Sequence, residues 1–574
     1  MDVIFVIIEL ILMIGLFVLI GIDGKRPLSK MRLLYLAPFL VAVVCATRMP
    51  GEWTLVGAYF GTVLVIGCLF VTKVLSKRIL TVISAGLILV SFGLCMLSST
   101  YRRADYLKGF EHGFSVMKEH YVLTEEKGID WNQLYATYYP KFAEAEAKHD
   151  SVLNQKYWMQ FAEEFHDGHV GFFNESDSRM IRNLLELMGN DYGLSFVRGS
   201  DGTFLAANVE GSEGCMSVLE PGKDYSDAED YLSESVEEDR LTLWNAGLRN
   251  GCVITSWDGK SVEEVMGEVE VIMSNCPDLE NDRFFRTMYA AGIGGESVTI
   301  TFLDENGNEK SVTAPRLGAY LPRLASTMEK IDEGVLESNL GWRELSSDTV
   351  LLRIYSMSYD LETYDGADYT EMTDELREQV LALKESGYKN IIIDLRRNSG
   401  GSPFMVMGVA KLFAPLGHHV DCYSVVINEK TACFERGEDG KYVKDKALAY
   451  DGEDLWNHGR ILLLVNGETV SAGDEMTYLM SQYPNVTIMG YTKSNSSCQA
   501  VTQVSVGEGA LSFSAVPNID ENGDAFIDAL ADRKGRVPID IVVPVDRDMV
   551  TEIFDRGEDH LLQEAMKELG DPIE

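Results

Sequence analysis

Hydrophobic and polar positions along the chain change rhythm four times, and each change predicts a different kind of element. Four nearly uncharged apolar runs come first, at about 3–22, 33–47, 54–72 and 79–98. Three of them approach the ~20 residues a bilayer-crossing helix needs, so the spacing predicts a four-helix transmembrane segment over 1–100. A cleaved signal peptide would account for the first run only. From 101 to about 165 the period becomes helical: "FEHGFSVMKEHY" and "WNQLYATYYPKFAEAEAKH" repeat apolar residues three and four apart. In "FAEEFHDGHVGFF" that rhythm stops at Asp167-Gly168 and an apolar strand begins.

Between about 185 and 320 the pattern is one of short strands and turns. After 340 strands and helices alternate. "DTVLLRIYSM" reads as a strand, "YTEMTDELREQVLALKESG" as an amphipathic helix ending in glycine, and "KNIIIDLRRNSGG" as a strand running into a glycine-rich turn. "PFMVMGVAKLF" is then a helix, "RILLLVNGET" a strand, and "SAGDEMTYLM" a second helix. Such alternation predicts a mostly parallel sheet with its site at the C-terminal ends of the strands.

Charge divides the chain in the same place. The formal net charge is −39, yet residues 1–100 carry eight Lys/Arg against four Asp/Glu. The acidic remainder excludes nucleic acid as a partner, since phosphates would be repelled. The basic loops around Lys25–Arg32 and Lys73–Arg78, against a single Arg48 between the second and third runs, predict both termini outside. The expectation is therefore a multi-pass cell-membrane protein with lipid contacts over 1–100 and an extracytoplasmic catalytic domain. Nine cysteines lack Cys-x-x-Cys spacing, which argues against a zinc site. Cys422 and Cys433 could bridge a hairpin only in an oxidising space, and spacing does not decide it.

Three segments offer the parts of an acyl-transfer site: a nucleophile, a base and an oxyanion hole. Ser471 follows a buried strand and opens a helix. It can cap that helix, but the same geometry exposes its Oγ beside the amide of Ala472. In "DLRRNSGG" the glycines let backbone amides of Gly400 or Gly401 approach a ligand. "HDGH" supplies His166 and His169, which lack an obvious third ligand for a metal; Gly168 lets His169 project from a sharp turn as a base near neutral pH.

"DLRRNSGG", "VNGETVSAGDE", "TIMGYTKS" and "RVPIDIVV", in that order, resemble the carboxy-terminal processing (tail-specific) protease family, which includes the tricorn core. The likeness runs over about 101–550. It implies a serine endopeptidase on an α/β crotonase-like core, with Ser471 as nucleophile, a protein or peptide substrate, and no metal or organic cofactor. Upstream, "YGLSFV", "NAGLRNGCVITSWDGKSVEEVM" and "ESVTITFLDENGNEKSVTAP" resemble parts of a PDZ domain, departing at Cys252 and at an acidic insertion near 209–240. That likeness makes Tyr192, Gly193, Leu194, Ser195 and Phe196 the loop that would receive a peptide C-terminus. The implied organisation is a membrane segment over 1–100, a helical subdomain over 101–180, a PDZ-like domain over 181–325 and a catalytic core over 326–574.

Family members differ in their base. Tail-specific proteases place a lysine some two dozen residues after the serine. Here that slot falls near Asn495, and Lys493 lies two residues early. Tricorn-like members use a histidine in "DGH", which makes His169 the favoured base and Lys493 the alternative. For the acid orienting the imidazole, "ALADRKGRVPID" offers Asp532, with Asp528 nearby. A second class of function stays open: an inactive membrane-anchored peptide-binding or sensing protein on the same fold.

Overall fold

The alternation of apolar residues in the core strands decides the architecture, because each strand sends its side chains to two different layers. A computed structural model of the protein describes residues 105–174, 176–212, 239–332, 340–358, 369–428, 430–431 and 433–571. Residues 107–574 form one compact unit. Its central sheet has six strands in the spatial order Ile541–Val542, Val486–Gly490, Arg460–Leu464, Asn390–Asp394, Thr349–Ile354, Leu340–Glu344. The first five run parallel and the last antiparallel.

Val350, Leu352, Ile391, Ile393, Ile461 and Leu463 face a core shared with the helices Thr370–Glu385, Pro403–Phe413 and Ala472–Met480. Leu351, Ile392, Leu462 and Leu464 face the opposite core, which includes Met549, Ile553 and Leu562 of the C-terminal helices. Covering both faces is what lets these strands be almost wholly apolar. Asp394 stands opposite Leu464 in register, so the turns after these two neighbouring strands leave the sheet side by side.

A five-stranded antiparallel sheet lies earlier in the chain, ordered Ser195–Arg198, Phe204–Ala207, Val253–Trp257, Ser297–Leu303, Glu309–Pro315. Before it come the helices Tyr106–His120, Trp131–Lys148 and Ser151–Glu163. Phe110 stacks on Phe142 at 4.6 Å between centroids and meets Phe161 edge-on at 5.9 Å. Asp130 and Asp150 start the second and third helices by accepting their first free amides. The strand Gly171–Asn174 then joins a three-stranded antiparallel sheet with Gly509–Val516 and Ala500–Ser505. That pairing fastens the helical layer to the C-terminal half of the chain.

The membrane expectation needs correction. The four apolar runs lie outside the described residues, and among the described residues no helix is long and apolar enough to cross a membrane. The longest of these, Trp131–Lys148, carries polar and charged residues along its outer face. The four-helix transmembrane segment, its lipid contacts and the multi-pass, extracytoplasmic location are therefore set aside. Cys422 is buried and Cys433 exposed, and both are free thiols.

Candidate active site

Ser471 sits at φ 63°, ψ −124°, a left-handed backbone that non-glycine residues rarely adopt. Such strain costs of order 1–3 kcal/mol and persists only where the surroundings over-determine it. Here they do. The Ser471 amide donates to the Ser497 carbonyl at 2.9 Å and to Asp474 Oδ2 at 3.2 Å. The preceding amide, of Val470, donates to the Asn398 carbonyl at 3.0 Å, and the Ser471 carbonyl accepts from Glu475 at 3.0 Å. The result is a sharp strand-to-helix turn that leaves the Ser471 side chain half-buried at the end of the sheet.

The "DLRRNSGG" turn packs directly on this elbow. A Cβ at Gly400 would lie 2.5 Å from Ser471 Cβ and 3.0 Å from its Oγ, and Gly400 itself is at φ +86°. Only glycine satisfies both demands. Asn398, fully buried, organises the turn: its Nδ2 donates to the Ile354 carbonyl at 2.8 Å and its Oδ1 accepts the Gly400 amide at 2.9 Å. The Gly400 amide is thus already spent. The amides of Gly401 and Ala472 have no acceptor among the described residues.

The "HDGH" turn, which carries His169, meets the loop beside Ser471 through Gly168. The Gly168 amide donates to Ser497 Oγ at 2.9 Å, across 329 residues of sequence. Ser497 is the residue whose carbonyl holds the Ser471 amide, so one loop residue touches both turns. A Cβ at Gly168 would lie 2.1 Å from Asn495 Oδ1, which explains the glycine by close approach. Asp167, fully buried, accepts the His169 amide at 2.9 Å, the Tyr121 hydroxyl at 2.9 Å and the Ser514 hydroxyl at 3.0 Å. Burial pushes the His169 imidazole below its ordinary value, with Asp167 acting in the opposite direction. Its Nδ1 is buried without a hydrogen-bond partner among the described residues.

Two further buried groups complete this corner. Asp528 accepts the Cys498 amide at 3.3 Å and a hydrogen bond from Gln499 Nε2. Burial, reinforced by the neighbouring charge of Asp167, pushes its carboxyl up to about 8. Lys127 donates to the carbonyls of His166 and Ala529, each at 2.7 Å. Burial lowers its ammonium, while Asp167 and Asp528 oppose the shift. Lys127, Ser497 and Gln499 had no motif to announce them. Asp167 stood inside one.

The remaining candidates lie elsewhere. Asp532 is exposed and accepts the Lys534 amide at 3.3 Å in a surface turn; the buried acids beside the "HDGH" turn are Asp167 and Asp528. Lys493 Nζ donates to the Gly535 carbonyl at 3.2 Å. Asn495, in the lysine slot, donates to the carbonyls of Asn275 and Gly467 at 3.1 Å each. Tyr192, Gly193, Leu194, Ser195 and Phe196 are all buried. Tyr192 Oη donates to the Gly295 carbonyl at 2.6 Å, Ser195 Oγ pairs with Tyr320 Oη at 2.7 Å, and Phe196 meets Trp257 edge-on. The Gly193 amide is taken by Asp191, itself ion-paired to Arg323. Among the described residues no cluster of three or more His, Cys, Asp or Glu is arranged to hold a metal.

Comparison with known proteins gives a family match where the site lies. The model of peptidase family S41 matches residues 348–530, and that of the tricorn protease C1 domain matches residues 102–152. No curated protein matches the chain. Similar solved structures include mature CPAF, 14% identical over 81% of this chain and 97% of that one, with a TM-score of 0.49. They also include the photosystem II D1 C-terminal processing protease, 14% identical over 80% of this chain and 98% of that one, TM-score 0.32. The tricorn protease is 13% identical over 81% of this chain and 36% of its own, TM-score 0.32. Residues 348–530, which hold the Gly400 turn, Ser471 and Asp528, are thus the part of the chain similar to peptidase family S41, and that similarity supports a serine-type peptidase.

Proposed function

We propose that the protein is a serine endopeptidase in which Ser471 is the nucleophile and His169 the general base. His169 takes the Ser471 proton as Oγ attacks the scissile carbonyl of a peptide. The amides of Ala472 and Gly401 then receive the developing oxyanion, where loss of one donor typically costs ~10²–10³ in rate. Gly401 is preferred to Gly400 because the Gly400 amide already serves Asn398. The imidazole returns its proton to the leaving amine, and water resolves the acyl-enzyme by the same route in reverse.

The observation that carries this reading is Ser497, hydrogen-bonded through its carbonyl to the Ser471 elbow and through its hydroxyl to the residue before His169. Asp167 and Asp528 replace Asp532 as the acids that set the imidazole's surroundings. Asp528 acts through Gln499, whose backbone hydrogen-bonds to His169. The extended substrate is received on the strand Ala500–Ser505, an outer strand of its sheet with mostly exposed residues.

Substituting each base candidate tests the assignment. His169→Ala should lower hydrolysis of fluorescein-labelled casein by at least ~10²-fold, while Lys493→Ala keeps most of it. The opposite pattern would transfer the role to Lys493. No hydrolysis by the unsubstituted protein would favour the inactive, peptide-binding alternative.

A further inference from the structure

Asp474 lies three residues beyond Ser471 on the helix Ala472–Met480, and its side chain is fully buried. Its Oδ2 accepts the amides of Ser471 at 3.2 Å and Ser497 at 3.0 Å; its Oδ1 accepts the amide of Ser496 at 2.8 Å. An acid in the first helical turn needs only the helix's own amides to serve as a cap. Two of the three backbone amides bonded to Asp474 come instead from a different segment, the loop that holds the His169 turn. Ser496, like Ser471, is held at a left-handed φ, 64°. Both strained residues therefore anchor their amides on one carboxylate.

We propose that Asp474 is a positioning residue that fixes the distance between Ser471 and His169, and that its ionised form is the one competent for hydrolysis. The inference rests on the Ser471–His169 reading. A carboxylate has lone pairs for all three amides on two equivalent anionic oxygens, whereas the neutral acid turns one oxygen into a donor and weakens the rest. Protonation would then release one of the amides that tie elbow to loop.

The sign of the pH effect separates this role from a purely structural one. Burial pushes the Asp474 carboxyl up to about 7, against the opposing hydrogen bonds from Ser494, Ser497, Ser496 and Ser471. The folded value lies above the unfolded one of 3.8, so the folded state takes up the proton first. Stability contributed by this group consequently rises as pH falls from above 7 toward 4. Activity should fall over the same range. Burial raises the thiol of Cys498 in the loop, and Asp474 is one of the charges, with Glu475, Asp528 and Cys422, that raise it further. A limb near 7 that survives in Asp474→Asn would belong to Asp528 or His169 and would overturn the proposal.

The test uses the full chain, with fluorescein-labelled casein for turnover, a fluorophosphonate for labelling of Ser471, and thermal unfolding alongside. In the unsubstituted protein, kcat and labelling rate should drop about tenfold between pH 8 and pH 6 with a midpoint near 7. KM should change little, and the melting temperature should not decline. In Asp474→Asn, kcat at pH 8 should be at least tenfold lower and the limb near 7 absent. An Asp474→Asn protein with normal kcat and an unchanged profile would overturn the proposal. If that variant does not fold, the labelling profile of the unsubstituted protein decides: a flat rate from pH 8 to 6 overturns the proposal. Hydrolysis that survives Ser471→Ala would overturn the underlying reading instead, which keeps the two failures apart.

Discussion

Ser471 and Gly400 form a single steric unit. The left-handed backbone of Ser471 turns its side chain toward the Gly400 turn, and the absent Cβ of Gly400 leaves room for it. Gly400→Ala would push a methyl group to within 3.0 Å of Oγ at a φ unfavourable for alanine. We expect kcat to fall at least ~10²-fold with a stability loss of about 1–3 kcal/mol, measured by turnover and chemical denaturation. Residue-scale chemistry was partly legible in the sequence. A serine after a buried strand and a glycine pair after its neighbour are local patterns. The choice between Asp528 and Asp532 was not, because both sit in one turn-rich stretch and spacing does not say which faces inward. Lys493 likewise kept its place in the sequence but spends its ammonium on Gly535.

At the scale of elements, the loop 494–499 does the joining. It holds the Ser471 amide on one side and the Gly168 amide on the other. Gly168→Ala would drive a methyl carbon to 2.1 Å from Asn495 Oδ1 and 3.0 Å from Ser497 Oγ. Either the Asn495 side chain or the "HDGH" turn must then shift, which disturbs the contact between turn and loop. Casein turnover should fall at least tenfold while circular dichroism at 25 °C stays native-like; unchanged turnover would mean that the contact between turn and loop does not set the base. Apolar runs alternating with amphipathic helices made the parallel sheet readable, since both layers are encoded in consecutive strand residues. In residues 192–196 tyrosine, leucine and phenylalanine turn into the core and Asp191 accepts the Gly193 amide, placements that a motif alone does not encode.

Over the whole molecule, the site draws on the helical layer, the loop 494–499 and the ends of two parallel strands. The Gly168–Ser497 bond spans 329 residues, a contact that no local periodicity encodes. Only the joint order of motifs suggested that His169 and Ser471 belong together. The apolar runs before residue 100 gave the strongest hydrophobic signal in the chain, and they lie outside the described fold. Fluorophosphonate labelling of the unsubstituted protein and of Ser471→Ala, with casein turnover measured in parallel, tests whether Ser471 is the nucleophile. One label per chain is expected on the peptide containing Ser471, with loss of both labelling and turnover in the variant at unchanged melting temperature. Labelling or turnover that persists in Ser471→Ala would contradict that role.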